Sequence, residues 1–365
     1  MKKVISVVGA RPNFMKVAPI YHQSKFADFK HIIVHTGQHY DYNLSDSFIE
    51  ALDLPKPDYF LGVGSGSHSQ QTARIMVEFE KVCLAENPDL VIVVGDVNST
   101  IACGLVAVKM GIKLAHIEAG LRSGDRSMPE EINRIATDSI SDYFFITEED
   151  ALINLKKSGI SEDQIFFVGN TMIDSLLKTL PKVDESEILK KLALKPKDYV
   201  LVTLHRPSNV DNKESLLDFL DVFRQISKRT KIVFPMHPRT MQRIKDYNLD
   251  VHFEQIDGLI ITEPANYIEF IKLMQNSKMV MTDSGGIQEE TTYLDVPCLT
   301  LRTTTERPVT IELGTNILIE PEKNLIINSF NYAMDNPIKR KSIPPLWDGN
   351  AAKRIIDVIS NKILC

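Results

Sequence analysis

Short apolar runs recur along this chain, each followed by a longer amphipathic stretch, and no other feature narrows the fold as much. Residues 4–8 read as a buried strand, after which Gly9-Ala10-Arg11-Pro12 turns into a helix. Residues 31–35, 90–94, 113–117, 143–146 and 165–168 read as further strands, with a helix over 98–110. Strands separated by helical patterns predict β-α-β units and a parallel sheet. The rhythm pauses over 178–198, which is charged and contains Pro181 and Pro196. It restarts with strands at 199–204, 232–235, 259–261, 279–281, 296–301 and 317–319, and helices over 214–228 and 266–276. Residues 351–363 read as a last amphipathic helix. The expected fold is α/β with two doubly wound domains. The first covers 1–170 and the second 171–350, and the helix at 351–365 packs back on the first.

Composition excludes several classes. The 365 residues suit two domains. The net charge of −6 comes without any basic block. That argues against nucleic acid as the main partner, since backbone binding needs clustered Lys and Arg. No apolar run reaches the ~18 residues of a membrane helix. The N-terminus lacks a signal-peptide pattern, so the cytoplasm is the expected compartment. Cys83, Cys103, Cys298 and Cys365 form no C-x-x-C and no zinc spacing, so no metal is expected. Gly62-Val63-Gly64-Ser65-Gly66 is not the dinucleotide fingerprint; it reads as a loop and gives no reason to invoke NAD.

Polar residues stand at nearly every strand end, where doubly wound sheets bind ligands. Thr282-Asp283-Ser284-Gly285-Gly286 follows a strand, and Ile287-Gln288-Glu289-Glu290 opens a helix. Such a turn offers free N–H groups at a positive dipole end, and its glycines let a phosphate approach. The plainer reading is a capped helix with a Gly turn. Glu290, one turn on, is placed to accept from ribose hydroxyls. Arg11 and Lys16 put two cations at the first strand-turn-helix, unless both are simply solvated. Asp96, Glu118 and Glu130 fall at or after strand ends of the first half. Grouped carboxylates supply general acids and bases, although each alone could be a helix cap or dipole partner. His205 ends a strand as a candidate proton donor or phosphate ligand, or else as a hydrogen-bonded core histidine, and His237 reads the same way less strongly.

Those pieces occur in one order. Gly9-Ala10-Arg11-Pro12 with Lys16 comes first, then Thr36-Gly37-Gln38-His39, Gly95-Asp96 and His116-Ile117-Glu118-Ala119-Gly120-Leu121-Arg122. Pro129-Glu130-Glu131-Ile132-Asn133-Arg134, Gly169-Asn170-Thr171 and His205-Arg206 follow. Thr282 through Glu290 and Thr305-Glu306-Arg307-Pro308 close the set. The ordered set resembles the non-hydrolysing UDP-N-acetylglucosamine 2-epimerase family, from residue 3 to about 358.

The resemblance implies two Rossmann-like domains facing across a cleft, GT-B-like, and interconversion of UDP-GlcNAc and UDP-ManNAc without NAD or any other cofactor. UDP leaves by elimination, giving a 2-acetamidoglucal, and adds back after the C2 proton returns to the opposite face. The family's acid/base carboxylates match Asp96, Glu118 and Glu130, and its histidine matches His205. Its nucleotide-sugar contacts match Arg11, Lys16, Phe270, Ser284, Gly285, Gly286, Glu290 and Arg307. An activator site found in some bacterial members matches Gln38, His39, Gln71, Arg206 and His237. Asp41 and Gln70 depart from that site's pattern, and Ala265 replaces a nucleotide-contacting Gln of many members. A UDP-sugar is the expected partner and a homodimer the expected assembly.

Two alternatives stand beside this. One is an epimerase of a related UDP-HexNAc, such as a 2,3-diacetamido uronic acid. The other is a GT-B glycosyltransferase, which needs at most one base where this chain offers three carboxylates. A non-catalytic nucleotide-sugar sensor is a further class, marked by binding without turnover.

Overall fold

The computed structural model describes residues 1–38, 49–336 and 338–365, with Arg11 described by its backbone alone. The chain divides into two compact units, Met1–Lys178 with Pro345–Cys365, and Thr179–Pro344.

The first unit is built on seven strands: β1 (Lys2–Val8), β2 (Phe29–His35), β3 (Tyr59–Phe60), β4 (Leu90–Val94), β5 (Lys113–Ile117), β6 (Tyr143–Ile146) and β7 (Ile165–Phe167). Their order is β3-β2-β1-β4-β5-β6-β7, and every pair is parallel. Helices α1 (Arg11–Ser24), α2 (His68–Glu86), α3 (Asn98–Lys109) and α4 (Pro129–Ile140) alternate with the strands. All five β4 residues are buried, as in a strand covered on both faces. Strand order reverses between β1 and β4, the switch point at which such sheets hold ligands.

Helix α5 (Thr171–Glu185) follows β7 and is itself followed by a short helix, Ile188–Lys191. The pause expected over 178–198 is therefore largely helical. Pro181 lies inside α5, but Met172, Ile173, Leu176 and Val183 are buried along it, and that burial outweighs the lost backbone bond.

The second unit has six parallel strands: β8 (Tyr199–Thr203), β9 (Lys231–Pro235), β10 (Leu259–Thr262), β11 (Met279–Thr282), β12 (Cys298–Leu301) and β13 (Asn316–Ile319). Their order is β10-β9-β8-β11-β12-β13, so the switch point lies between β8 and β11. Helix α6 (Tyr267–Asn276) precedes β11, and α7 (Gly285–Leu294) follows it. Phe219, Phe223, Phe234, Phe253 and Phe330 fill the core.

The last helix, α8 (Ala351–Val358), packs on α1 in the first unit. Asp174 on α5 caps it, accepting from the N–H groups of Ala351 and Ala352 at 3.2 and 2.7 Å. Burial raises the Asp174 carboxyl to about 6. Beyond α8 the helix widens into a π-helical turn, Ile359–Ile363, where a continuous α-helix was expected.

Several elements lacked a sequence expectation, among them one strand and one long helix of the first unit. The strand β3 spans only two residues. Helix α2 announces itself by a capping box, with Ser67 and Gln70 exchanging hydrogen bonds. The glycine loop after β3 is a loop, as expected, and Arg74 and Gln71 donate to the carbonyls of Val63 and Gly64.

Candidate functional site

At the first switch point, Pro12 lies in the first turn of α1, and Asn13 accepts from the N–H groups of Gly9 and Ala10 at 3.1 and 2.8 Å. Its amide donates to Val94 O at 3.0 Å, so the turn after β1 is tied to the end of β4. One helical turn along α1, buried Lys16 reaches Glu118, and Nζ pairs with Oε2. Glu118 itself has φ of +65°, a left-handed backbone in a residue other than glycine. That conformation costs ~1–2 kcal/mol and persists only where surroundings dictate it.

Asp96 follows Gly95 at the end of β4 and pairs with Arg134 of α4. Arg134 is buried and also binds Glu131 at 2.7 Å. Glu131 in turn accepts from Ser123 N and Oγ, at 2.9 and 3.1 Å. Glu130 stands beside it in the first turn of α4, half-buried, with its carboxylate near the helix's positive end. The first unit thus brings Lys16, Asp96 and Glu118 to neighbouring strand ends. Two of the three expected carboxylates, Glu118 and Asp96, face a cation. Sequence reading named Glu131 and Arg134 within an ordered motif but gave neither a role, although their three-residue spacing on a helix is the signal of such a pair.

At the second switch point, Asp283 is fully buried and accepts from His205 N, Arg206 N and Asn209 Nδ2 at 3.0, 2.9 and 3.1 Å. It also binds His205 Nδ1 at 2.8 Å. Burial would raise this carboxyl, but the His205 imidazole and the backbone N–H donors outweigh it and hold it down to about 2. Nδ1 of His205 faces Asp283, and Nε2 stands on the other edge of the ring. His237 lies beside it, ring centroids 5.5 Å apart, and caps the following helix through Arg239 N.

Ser284 is the N-cap of α7. Its own N–H already donates to Thr282 Oγ1 at 3.0 Å, so the free donors at this helix start are those of Gly285 and Gly286 rather than Ser284. A Cβ on Gly285 would lie 2.7 Å from Glu306 Oε1 and 3.3 Å from Arg307 Nη1. Arg302 and Arg307, both buried, are bridged by Glu306 at 2.9 and 2.6 Å, and Arg307 also pairs with Glu289 at 2.8 Å. Gln288 binds Ser284 O, Thr305 Oγ1 and Asn316 Nδ2, and so holds the turn to the sheet.

Glu290 is buried and takes the Tyr267 hydroxyl at 2.9 Å. Burial raises it to about 8, with the Glu289 charge adding to the rise and the Tyr267 bond opposing it. Phe270 is half-buried one turn beyond Tyr267 on α6.

Of the residues matched to the activator site, Gln38 and Gln71 are joined, Gln71 Nε2 donating to Gln38 O at 3.0 Å. Gln38 Oε1 accepts from Ser99 N and Oγ. Arg206 and His237 belong to the second unit, and Arg206 Nε donates to Asp283 O at 2.9 Å. His39 and Asp41 lie outside the described residues.

Two doubly wound parallel units, each with charged side chains gathered at its switch point, define a two-unit α/β class. The UDP-N-acetylglucosamine 2-epimerase family model matches residues 22–360. A UDP-N-acetylglucosamine 2-epimerase of Methanocaldococcus jannaschii is 43% identical over 98% of this chain and 99% of its own. A crystal structure of the Methanocaldococcus jannaschii UDP-GlcNAc 2-epimerase in complex with UDP-GlcNAc and UDP aligns at 42% identity, over 98% of this chain and 99% of that one, with a TM-score of 0.91. A UDP-2,3-diacetamido-2,3-dideoxy-D-glucuronate 2-epimerase of Pseudomonas aeruginosa is 39% identical over 98% of this chain and 99% of its own. The chain belongs to the UDP-N-acetylglucosamine 2-epimerase family, whose members are isomerases. Among the described residues, no helix is long and apolar enough to cross a membrane.

Proposed function

We propose that this protein interconverts UDP-GlcNAc and UDP-ManNAc by eliminating UDP and adding it back. The observation that carries the reading is the near full-length identity with relatives named for that reaction. The geometry agrees with its chemistry. A C2 proton beside an acetal is weakly acidic, so a positioned base and a stabilised leaving group are both required. Asp96, Glu118 and Glu130 are the acid/base groups of this proposal. Lys16 pairs with Glu118 and Arg134 with Asp96, which holds two of them in place. UDP is held by Gly285 and Gly286 N–H, with Arg11, Arg307, Ser284 and Phe270 as further contacts. Glu290 meets the ribose only as a hydrogen-bonded group on Tyr267. His205, fixed through Nδ1, presents Nε2 to the departing or returning diphosphate. Gln38, Gln71, Arg206 and His237 are the proposed activator contacts.

The Pseudomonas relative supports a second substrate, a 2,3-diacetamido uronic acid carried on UDP. The buried free thiols of Cys83, Cys103 and Cys298 suit the reducing cytoplasm. Exposed Val77 and Leu84, seven residues apart on α2, suit the face of a homodimer. The test is incubation with UDP-GlcNAc and no acceptor, followed by NMR. Appearance of UDP-ManNAc is expected. Its absence, with turnover only of the diacetamido uronate, would give the second reading, and binding without any turnover would refute both.

A further inference from the structure

We infer that His116 and Asp138 are positioning residues, a buried clamp that sets the spacing of the carboxylate carriers in the first unit. The inference rests on the proposed epimerase reading only for what those carboxylates do. His116 is the fourth residue of β5 and fully buried, and Asp138 lies near the end of α4, also buried. His116 Nδ1 meets Asp138 Oδ1 at 2.7 Å, and Nε2 meets Gly95 O at 2.8 Å. Asp138 Oδ2 accepts the Gly120 N–H at 3.1 Å and pairs with Arg122 Nη1 at 2.6 Å.

Three segments meet on these two side chains. Gly95 precedes Asp96, Gly120 lies two residues past Glu118, and α4 carries Glu130 and Arg134. The backbone there is unusual, with φ of +69° at Gly95, +65° at Glu118 and +77° at Gly120. A left-handed Glu needs its neighbours pinned on both sides. His116 pins the chain before it and the Gly120 N–H pins it after. Both ring nitrogens of His116 face oxygen acceptors, so the ring satisfies both only with a proton on each. The Asp138 carboxyl is held below its usual range. Burial pushes it up, but the His116 bond and charge and the Arg122 charge prevail. The hydrogen bonds give the clamp its direction, and the Arg122 ion pair adds to its strength.

The test has two arms. In ligand-free protein at neutral pH labelled with ¹⁵N-histidine, the His116 signals, assigned by their loss in His116→Gln, should show both ring nitrogens protonated. A bare nitrogen on that ring would overturn the inference whatever the enzyme turns over. In the kinetic arm, Asp138→Asn keeps the shape and one acceptor but weakens the clamp. Its kcat should fall on the order of 10²-fold, the effect of a small misplacement of reacting groups, while KM and UDP affinity stay at the wild-type value. Full kcat in folded Asp138→Asn, or kcat and KM falling together with melting temperature, would make the pair merely structural. If wild-type protein converts no UDP-GlcNAc, the epimerase reading has failed instead. The ring signals, and protection of the Gly120 amide that Asp138→Asn should lose, then decide the clamp by themselves.

Discussion

Lys16 and Glu118 form an ion pair whose side chains are only 8% and 3% exposed, and cutting one partner leaves a charge that water cannot reach. Lys16→Met keeps most of the side-chain volume and removes the ammonium. Losing one partner of a buried pair costs roughly 3–5 kcal/mol, mostly as the uncompensated charge that remains. Glu118→Gln removes the other charge and should cost a similar amount. In Lys16→Met with Glu118→Gln neither charge is stranded, so the double loss should fall short of the sum by about 0.5–3 kcal/mol. Trp347 is the sole tryptophan and is buried in the same unit, its Nε1 donating to Thr147 O at 3.3 Å. Its fluorescence in a urea titration therefore reports the unfolding of that unit alone. Losses that add to within about 0.5 kcal/mol would refute the coupling. So would a Lys16→Met protein as stable as the wild type.

Three further outcomes follow from the second unit. Gly285→Val places a side chain where Glu306 and Arg307 already crowd; UDP affinity by calorimetry should drop at least about tenfold, one charge-assisted hydrogen bond being worth ~1.5–3 kcal/mol. Glu290 is raised to about 8, so the folded state holds its proton where the unfolded chain has lost it. Stability should therefore decline as pH rises from its unfolded value toward 8, by at most about 1.4 kcal/mol per unit, and Glu290→Gln should flatten that slope in melting scans. Asp283 is held down to about 2, so its contribution is present above the ordinary aspartate range and lost as pH falls toward 2. Asp283→Asn should abolish that acid dependence and, by freeing His205, lower turnover on the order of 10²-fold in the UDP-GlcNAc assay.

The strands that position the site were legible because parallel strands buried on both faces are continuous apolar runs. Leu90–Val94 and Tyr143–Ile146 begin and end where the apolar run does, while Lys113–Ile117 starts one residue ahead of its apolar part and carries His116 inside it. Helix α5 was not legible, because Pro181 and the charged residues around it read as a break, while the burial that carries it is tertiary. Two-residue β3 offers no periodicity at all. At the site, strand-end logic found Asp96, Glu118 and His205. It could not foresee that Lys16 reaches Glu118 across 102 positions, or Arg134 reaches Asp96 across 38. Nor could it foresee the hydrogen bond between Tyr267 and Glu290. Pairings of this kind depend on which segments the sheet order makes neighbours, and one sequence does not display that order.

The central claim is that the C2 proton is removed to a carboxylate and returned to the opposite face. Conversion of UDP-GlcNAc in D₂O, with the product read by NMR, tests it most directly. A carboxylate can trade its proton with water between elimination and re-addition, so UDP-ManNAc should carry deuterium at C2, in NAD-stripped protein as well. UDP-ManNAc with only protium at C2, or activity that disappears when NAD is removed, would contradict the account.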